Sequence, residues 1–350
     1  MINNKEDKKC AIFKSNFLFL LLLESLLFSA PILAAPIQVA LATSEGKVGV
    51  TDGTNWVSNT SAFAKFNVYA LARSHKGELY MAGAGGMVWK SDGKGLQSLV
   101  SHGLGASFYG RENIYTLAID SRRNLYAGGE KGGIYKFDGT HWTTYGYTGE
   151  SPFGTVPVMH LVAGTKGRLF ACGASGNLYR YDGKSWSRHG YSKTSPFGQE
   201  AIHALTVSKN GQIYAAGEKG QILRYDGKSW KKVGYDNSSP FGDGAIYRLV
   251  FDKAHRLYAA GYGGKIMVYR KNRGLWETLG YTDQSPFGST SVTSLSFAPD
   301  GSLLAGGFEG KLFRFVKSKW TPYSNTANSP MGRSTIHALV SFRGHAPALQ

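Results

Sequence analysis

Histidine and arginine recur at two adjacent positions of a short segment that this chain repeats seven times. The second residue of the segment is His203 in one copy and His337 in another, and the third residue is His160 or Arg248 in two more. If the segments converge on one axis, these side chains could form a metal site or an acid–base pair. No carboxylate occupies either position in any copy, so nothing there would orient a histidine or act as a base. We therefore favour a polar, water-filled channel over a catalytic or metal site, and we expect no cofactor.

Other residue types capable of chemistry are explained by turns and packing. No nucleophile motif or phosphate-cradling loop occurs. Beyond residues 1–35, Cys172 is the single cysteine, which excludes a disulfide framework and favours a buried packing role. Aspartate precedes glycine at a recurrent site, where a tight hairpin explains it better than a metal ion does. These aspartates are Asp52, Asp92, Asp138, Asp182 and Asp226.

The repeat itself predicts the fold. Each copy holds four short runs rich in β-branched and aromatic residues, separated by glycine-containing turns. A period of about 44 residues with four strands per copy is typical of a β-propeller blade. The copies begin at Val68, Ile114, Val158, Ile202, Ile246 and Val292.

A seventh blade is divided between the two ends of the chain. Ile336–Val340 repeats the opening of a copy, whereas Gln38–Trp56 repeats the remainder in register. Pairing of these segments in one blade, built from residues 336–350 and 37–60, would close the ring and remove exposed strand edges. The sequence therefore predicts an all-β fold, a seven-bladed β-propeller of four-stranded blades over residues 36–350.

Residues 1–35 predict export. Four lysines precede an apolar stretch at Phe17–Leu27, and small residues follow at Ala34 and Ala35. This pattern is typical of a Sec-type signal peptide cleaved near Ala35. Retention of the stretch as a membrane anchor is the alternative, because about 20 apolar residues can cross a bilayer. In both cases the propeller would lie outside the cytoplasm, either secreted or in the periplasm and cell envelope.

The net charge of the chain favours anionic partners. Lysine and arginine total 40 against 23 acidic residues, and without residues 1–35 the totals are 36 against 20, an excess of 16. A positive field attracts acidic polysaccharide, lipopolysaccharide or anionic lipid headgroups. Solubility alone explains the charge equally well, because the basic residues form no continuous run. Export argues against a nucleic-acid partner and leaves an envelope protein as the other class.

A connection that is longer than a blade needs carries Ser-Pro-Phe-Gly in four copies and Ser-Pro-Met-Gly in another. In a propeller it shares a face with the loop between the second and third strands, which holds Lys131 and Lys219 in two copies. The apolar residue either wedges under the neighbouring blade and seals the ring, or forms shallow ligand sites with the lysines that gain from multivalency. The residues concerned are Phe153, Phe197, Phe241, Phe287 and Met331.

The segment Leu125–Trp142 resembles a known blade repeat. Its Leu-Tyr-Ala-Gly-Gly strand, Ile-Tyr strand and later tryptophan are similar to those of the two-component-regulator propellers, the periplasmic sensing domains of bacterial signalling proteins. The resemblance covers residues 38–350 and extends more loosely to tachylectin, tectonin and Kelch blades. It implies a propeller with a sensing or binding role. No kinase module follows, so a signalling role would need a partner chain.

Together these observations predict an exported, non-catalytic scaffold. It would bind an extracellular or envelope partner, whether glycan, polyanion or protein, through one rim of the propeller. A carbohydrate-binding lectin with repeated sites is one alternative. A polysaccharide-acting enzyme that uses the channel residues is the other.

Overall fold

The computed structural model describes residues 35–59, 66–92, 95–99, 112–146, 150–281, 284–323, 329–347 and 349. The chain forms two units, Met1–Pro36 and Ile37–Gln350, and all the described strands belong to the second. The predicted signal peptide lies outside the described residues except for Ala35. Within the described part of the chain, no helix has the length and hydropathy needed to cross a membrane.

The described residues form seven antiparallel sheets of four strands, which are the predicted blades. We name each blade by the first residue of its first strand. In chain order the strands are β1 (Ile37–Thr43), β2 (Val48–Thr51), β3 (Trp56–Asn59), β4 (Val68–Arg73), β5 (Leu79–Gly83), β6 (Val88–Ser91), β7 (Leu96–Ser98), β8 (Ile114–Ile119), β9 (Leu125–Gly129), β10 (Ile134–Phe137), β11 (Trp142–Thr144), β12 (Val158–Ala163), β13 (Leu169–Gly173), β14 (Leu178–Tyr181), β15 (Trp186–Arg188), β16 (Ile202–Val207), β17 (Ile213–Gly217), β18 (Ile222–Tyr225), β19 (Trp230–Lys232), β20 (Ile246–Phe251), β21 (Leu257–Gly261), β22 (Ile266–Arg270), β23 (Leu275–Thr278), β24 (Val292–Phe297), β25 (Leu303–Gly307), β26 (Leu312–Val316), β27 (Lys319–Pro322) and β28 (Ile336–Arg343).

Six of the described connections between strands contain a short 3-10 turn. Five of them join the second strand of a blade to the third, and one joins the first strand of the Val158 blade to the second. They span Ser44–Gly46, Ala84–Gly86, Glu130–Gly132, Thr165–Gly167, Tyr262–Gly264 and Phe308–Gly310.

The closing blade is built from both ends of the chain, as the sequence predicts. Its strand order is β28-β1-β2-β3. Strand β28 runs antiparallel to β1, with Leu339 opposite Leu41 and Arg343 opposite Ile37. The C-terminal strand therefore supplies the innermost strand of this blade and satisfies the hydrogen-bonding edge of β1. The prediction of a seven-bladed, terminally closed all-β propeller is confirmed.

The hydrophobic core lies between blades rather than within one. Each cluster of buried side chains joins residues of two neighbouring blades, for example Ile222 and Phe241 with Leu249 and Leu257. The recurrent tryptophans extend this contact. The indole N–H of Trp230 donates to the carbonyl of His189 in the preceding blade at 2.9 Å. Equivalent bonds are made by Trp142, Trp186, Trp276 and Trp320.

Candidate functional site

The first strands converge on a central channel that contains two connected groups of polar side chains. An open cavity of about 220 Å³ is lined by the second residue of all seven first strands together with Arg248. A further cavity of about 190 Å³ includes His160 and Arg248 from the third position. The structure thus brings together the four residues singled out from the sequence. Those of the second position are Tyr69, Tyr115, Met159, His203, Tyr247, Thr293 and His337.

A β-bulge explains how two consecutive residues of one strand both reach the channel. In a regular strand, successive side chains point to opposite faces. In the Ile202 blade, Ile202 pairs with Gly217 and Ala204 with Ala216, so His203 is the extra residue. The same shift occurs at the second position of the other six first strands. A bulge re-aims the side chain of the extra residue, and seven of them form the ring around the channel mouth.

Arg248 places a positive charge in the channel. Its guanidinium donates to the carbonyls of Tyr247 at 2.9 Å and His337 at 3.1 Å. No carboxylate of the described residues lies within ion-pairing distance of it. Burial lowers the pKa of Arg248 to about 10, so the side chain remains charged at neutral pH. A guanidinium with unused donors in a cavity is suited to an anionic group.

The two histidines beside Arg248 are neutral. Leu205 donates its backbone N–H to Nδ1 of His160 at 2.9 Å, and burial together with the Arg248 charge lowers the pKa of His160 to about 3. The same two causes lower the pKa of His337 to about 4. Nε2 of His337 is buried without a hydrogen-bond partner among the described residues. It is a free polar atom that a ligand could satisfy.

His203 has a carboxylate partner that the sequence analysis did not foresee. Glu218 lies in the loop between the second and third strands, and its Oε1 is 2.7 Å from Nε2 of His203. The expectation that no carboxylate orients a channel histidine is therefore wrong. The carboxylate comes from a loop and not from the two first-strand positions that the repeat pattern marks. The contact also shows that the ring of second-position residues lies on the face formed by these loops.

Aromatic rings complete the wall of the channel mouth. Tyr69 packs edge-to-face on Tyr115 with ring centroids 5.3 Å apart, and its ring lies 5.2 Å from that of His337. The amide of Asn67 donates to the hydroxyl of Tyr69 at 3.0 Å. Burial raises the pKa of Tyr115, so its hydroxyl remains protonated. The mouth therefore offers flat apolar surface beside hydroxyl and guanidinium groups, a combination typical of ligand sites.

The apolar residues of the Ser-Pro-Phe-Gly connections do not form a rim surface. Phe197 is 1% exposed and Phe241 is 2% exposed, and the other members are equally buried. Each sits in an interblade cluster, which corresponds to the wedge interpretation and corrects the ligand-site interpretation of these side chains. The serine before each proline shapes the turn, since Ser239 Oγ accepts from the Phe241 N–H at 3.1 Å. The buried members are Phe153, Phe197, Phe241, Phe287 and Met331.

The two lysines of the predicted rim are exposed and ion-paired. Lys131 Nζ lies 2.7 Å from Glu112, and Lys219 Nζ lies 2.5 Å from Glu200. These carboxylates raise the pKa of both lysines. The positive charge on this face is thus partly compensated, and Arg248 is the unpaired cation nearest the axis among the described residues.

The turn aspartates and the cysteine have structural contacts. Oδ1 of Asp226 accepts the backbone N–H groups of Lys228 and Ser229 at 2.9 and 2.8 Å, and these bonds lower the pKa of Asp226. Cys172 is fully buried, and its Sγ lies 3.3 Å from the carbonyl oxygen of Ile202. Burial raises the pKa of Cys172, which keeps it an unreactive thiol.

The blades and the channel define the chain as a seven-bladed β-propeller with a polar axial cavity. Its sequence matches no protein-family model and none of the curated proteins. Solved structures share the fold. YCF48 bound to D1 peptide is 14% identical with a TM-score of 0.57, over 85% of this chain and 88% of that one.

Two further similar structures come from bacteria. The extracellular domain of the hybrid two-component system BT4673 from B. thetaiotaomicron is 13% identical with a TM-score of 0.52, over 82% of this chain and 45% of that one. A catalytically inactive virginiamycin B lyase from Staphylococcus aureus with quinupristin is 14% identical with a TM-score of 0.56, over 80% and 92%. At such identities the likeness establishes the fold alone. It confirms that the chain is a propeller built from repeats.

Proposed function

We propose that the chain is an exported, non-catalytic binding scaffold that holds an extracellular or envelope partner at the mouth of its channel. The observation that carries the proposal is the unpaired guanidinium of Arg248 in an open cavity ringed by tyrosine and histidine. Few convergent polar groups in an aromatic-lined cavity are the usual form of a recognition site. The partner would insert an anionic group, such as a carboxylate of a protein or glycan, toward Arg248.

Two further observations support this function. The excess of basic residues in the propeller would draw an anionic partner toward the surface. The pattern of residues 1–35 supports export, and one structure with this fold is the extracellular domain of a hybrid two-component system. The structure of YCF48 bound to a peptide supports the proposal that a propeller with this fold can bind a segment of a partner protein.

Binding of the propeller, residues 36–350, to an array of acidic glycans, lipopolysaccharides and carboxylate-terminated peptides tests the proposal. We expect binding that weakens as salt rises and falls at least about tenfold in Arg248→Gln, because a charge-assisted hydrogen bond contributes about 1.5–3 kcal/mol. Arg248→Lys keeps the charge and should retain part of the affinity. Arg273→Gln removes an exposed arginine from the same blade and is the matched control. Equal binding by Arg248→Gln and the wild type would overturn the proposal.

A polysaccharide-acting enzyme is the second candidate, and the pair formed by His203 and Glu218 is the observation that favours it. A histidine oriented by a carboxylate is a common general base. Incubation with acidic polysaccharides, followed by measurement of new reducing ends, tests the candidate. Product formation that is lost in both His203→Gln and Glu218→Gln would establish catalysis. Polysaccharide that stays intact would exclude the enzyme candidate and leave the binding scaffold as the proposed function.

A further inference from the structure

A cavity of about 380 Å³ lies between the Val158 and Ile202 blades. Its lining includes Arg168, Arg180 and His189 from one blade and Gln212 and Tyr225 from the other. The turns that border it join first to second strands and third to fourth strands. Those turns lie on the face opposite the loops at the channel mouth, because consecutive strands of a blade are antiparallel. The cavity is therefore separate from the channel site.

In four other blades the turn between the first and second strands carries an acidic residue, at differing positions of the turn, that binds a neighbouring polar side chain. Asp120 accepts from the hydroxyl of Tyr126 at 3.0 Å. Asp252 accepts from Arg256 at 2.6 Å. In two more blades the acid pairs with the basic residue of the third strand, as in Glu78 with Lys90 at 2.8 Å and Asp300 with Arg314.

The Val158 blade lacks this acid. Gly164 stands where the Ile114 and Ile246 blades carry Asp120 and Asp252, and the turn continues through Thr165–Gly167. The Ile202 blade, on the other side of the cavity, has Ser208 at this position and no acidic residue in its turn. Neither Arg168 nor Arg180 forms an ion pair with any residue in the described ranges. Arg168 and Arg180 thus share a cavity, and the turn of their own blade supplies no carboxylate to pair with them.

Two buried polar atoms beside this cavity have no partner. They are Nε of Arg180 and Nε2 of His189, and neither has a hydrogen-bond partner among the described residues. The His189 side chain is 7% exposed. Buried polar groups are nearly always satisfied, so two orphan donors on one cavity mark a place where a polar ligand could bind. Both atoms can donate to an anion.

The one acidic residue that lines the cavity is already engaged. Asp226 accepts two backbone N–H groups of its own turn, and Lys231 lies 3.8 Å from its other oxygen. Its charge is therefore balanced by the Ile202 blade, and the net charge of the cavity remains positive. At the edge of the cavity the Asp226 carboxylate can accept further hydrogen bonds, and the amide of Gln212 can accept or donate them.

Aromatic rings form the remaining wall. The ring of His189 lies 5.1 Å from that of Phe170 and 4.6 Å from that of Tyr225. The hydroxyl of Tyr225 donates to the carbonyl of Gly227 at 3.1 Å, which holds the ring across the turn. An aromatic face beside two arginines and an amide side chain suits a ring-shaped ligand that carries both hydroxyls and an anionic group.

We propose that this interblade cavity binds one acidic sugar residue of an anionic glycan. The carboxylate or sulfate of the sugar is held by Arg168, Arg180 and His189 Nε2. The sugar ring lies against Tyr225, and its hydroxyls bond to Gln212 and Asp226. The site belongs to a single blade pair, unlike the repeated sites that a lectin with equivalent blades would have.

Calorimetric titration of the propeller with short oligogalacturonates, dextran sulfate and neutral dextran tests the proposal. We expect binding of at least one anionic glycan and none of neutral dextran. Arg168→Gln and Arg180→Gln should each weaken it by at least about tenfold. The carboxylated and sulfated glycans distinguish which anionic group the cavity takes. Folding is checked by thermal unfolding, and Arg180→Gln should fold normally because Nε of Arg180 makes no bond that would be lost.

Arg224→Gln is the matched control, since Arg224 occupies in the Ile202 blade the position that Arg180 occupies in the Val158 blade. It should bind the glycan as the wild type does. Equal weakening in the control would show a diffuse charge effect and overturn the site. Binding of neither glycan, or equal binding of neutral dextran, would overturn it as well. In Arg248→Gln, the binding that Arg180→Gln weakens should remain, so a loss in Arg180→Gln alone reports on this cavity and a loss in Arg248→Gln alone reports on the channel.

Discussion

At the scale of single residues, His189 links burial to acid stability. Burial, reinforced by Arg180 and Arg168, lowers its pKa to about 4, against about 6.5 in an unfolded chain. Below pH 6.5 the unfolded chain takes up a proton that the folded chain refuses until about pH 4, so stability falls as pH falls through this window. The equivalent residues in other blades include Val233 and Leu279.

His189→Leu should therefore be less sensitive to acid than the wild type. We expect the difference in unfolding free energy, variant minus wild type, to rise by about 2–3 kcal/mol between pH 7.5 and pH 4.5. Urea unfolding at both pH values measures it. His141→Gln removes an exposed imidazole and serves as the control. A difference that does not change with pH would mean that His189 is protonated in the folded protein.

Phe241 shows what a residue pattern alone could not decide. Its recurrence in Ser-Pro-Phe-Gly allowed either a wedge or a ligand site, and its burial against Leu249 and Leu257 decides for the wedge. Phe241→Ala should cost about 3–5 kcal/mol of unfolding free energy, because it empties a packed interblade cluster. Lys219→Ala, on the exposed loop of the same blade, should change stability little. Chemical denaturation of both variants checks this. A small loss for Phe241→Ala would mean that the cluster is loosely packed.

At the scale of the strand and its connections, glycine fixes how the loops of one blade meet. Gly220 (φ +60°) and Gly242 (φ +63°) share the same left-handed backbone. A Cβ on Gly220 would lie 2.2 Å from the carbonyl oxygen of Gly242, whereas one on Gly242 would meet nothing within 4 Å. Gly242→Ala should cost about 1–2 kcal/mol for its backbone alone. Gly220→Ala should cost about 1–3 kcal/mol more, because the backbone must shift. Thermal unfolding of the pair measures the difference, and equal losses would show that the loops are free to move apart.

The same scale shows how far the sequence determines the site. The period, the turn glycines and the runs of β-branched and aromatic residues predicted the strands, the blade count and the closing pair, because these depend on local patterns that repeat. The bulge at the second position of each first strand breaks the alternation, and it alone brings His203 to the mouth next to Glu218. The atoms of Arg180 and His189 that have no hydrogen-bond partner lie beside turns that lack the acidic residue found in other blades. Such features depend on how individual side chains of one blade are placed, which the pattern shared by all the blades does not specify.

At the scale of the whole molecule, closure of the ring by β28 is the feature on which all seven interfaces depend. Deletion of residues 336–350 would expose the edge of β1 and open the clusters that contain Ala338 and Leu339. We expect this variant to lose cooperative unfolding and to aggregate, because both a blade and the protection of an edge are removed.

A circular permutant that places residues 329–350 before Ile37 keeps every strand, since Arg343 and Ile37 already lie opposite each other. It should fold with the wild-type circular dichroism spectrum but unfold faster, because its ring is no longer closed by strands from both termini. Unfolding rates from stopped-flow fluorescence compare the permutant with the wild type, and light scattering detects aggregation of the deletion variant. Equal rates for permutant and wild type would show that interblade packing, and not closure by the two termini, sets the barrier to opening the propeller.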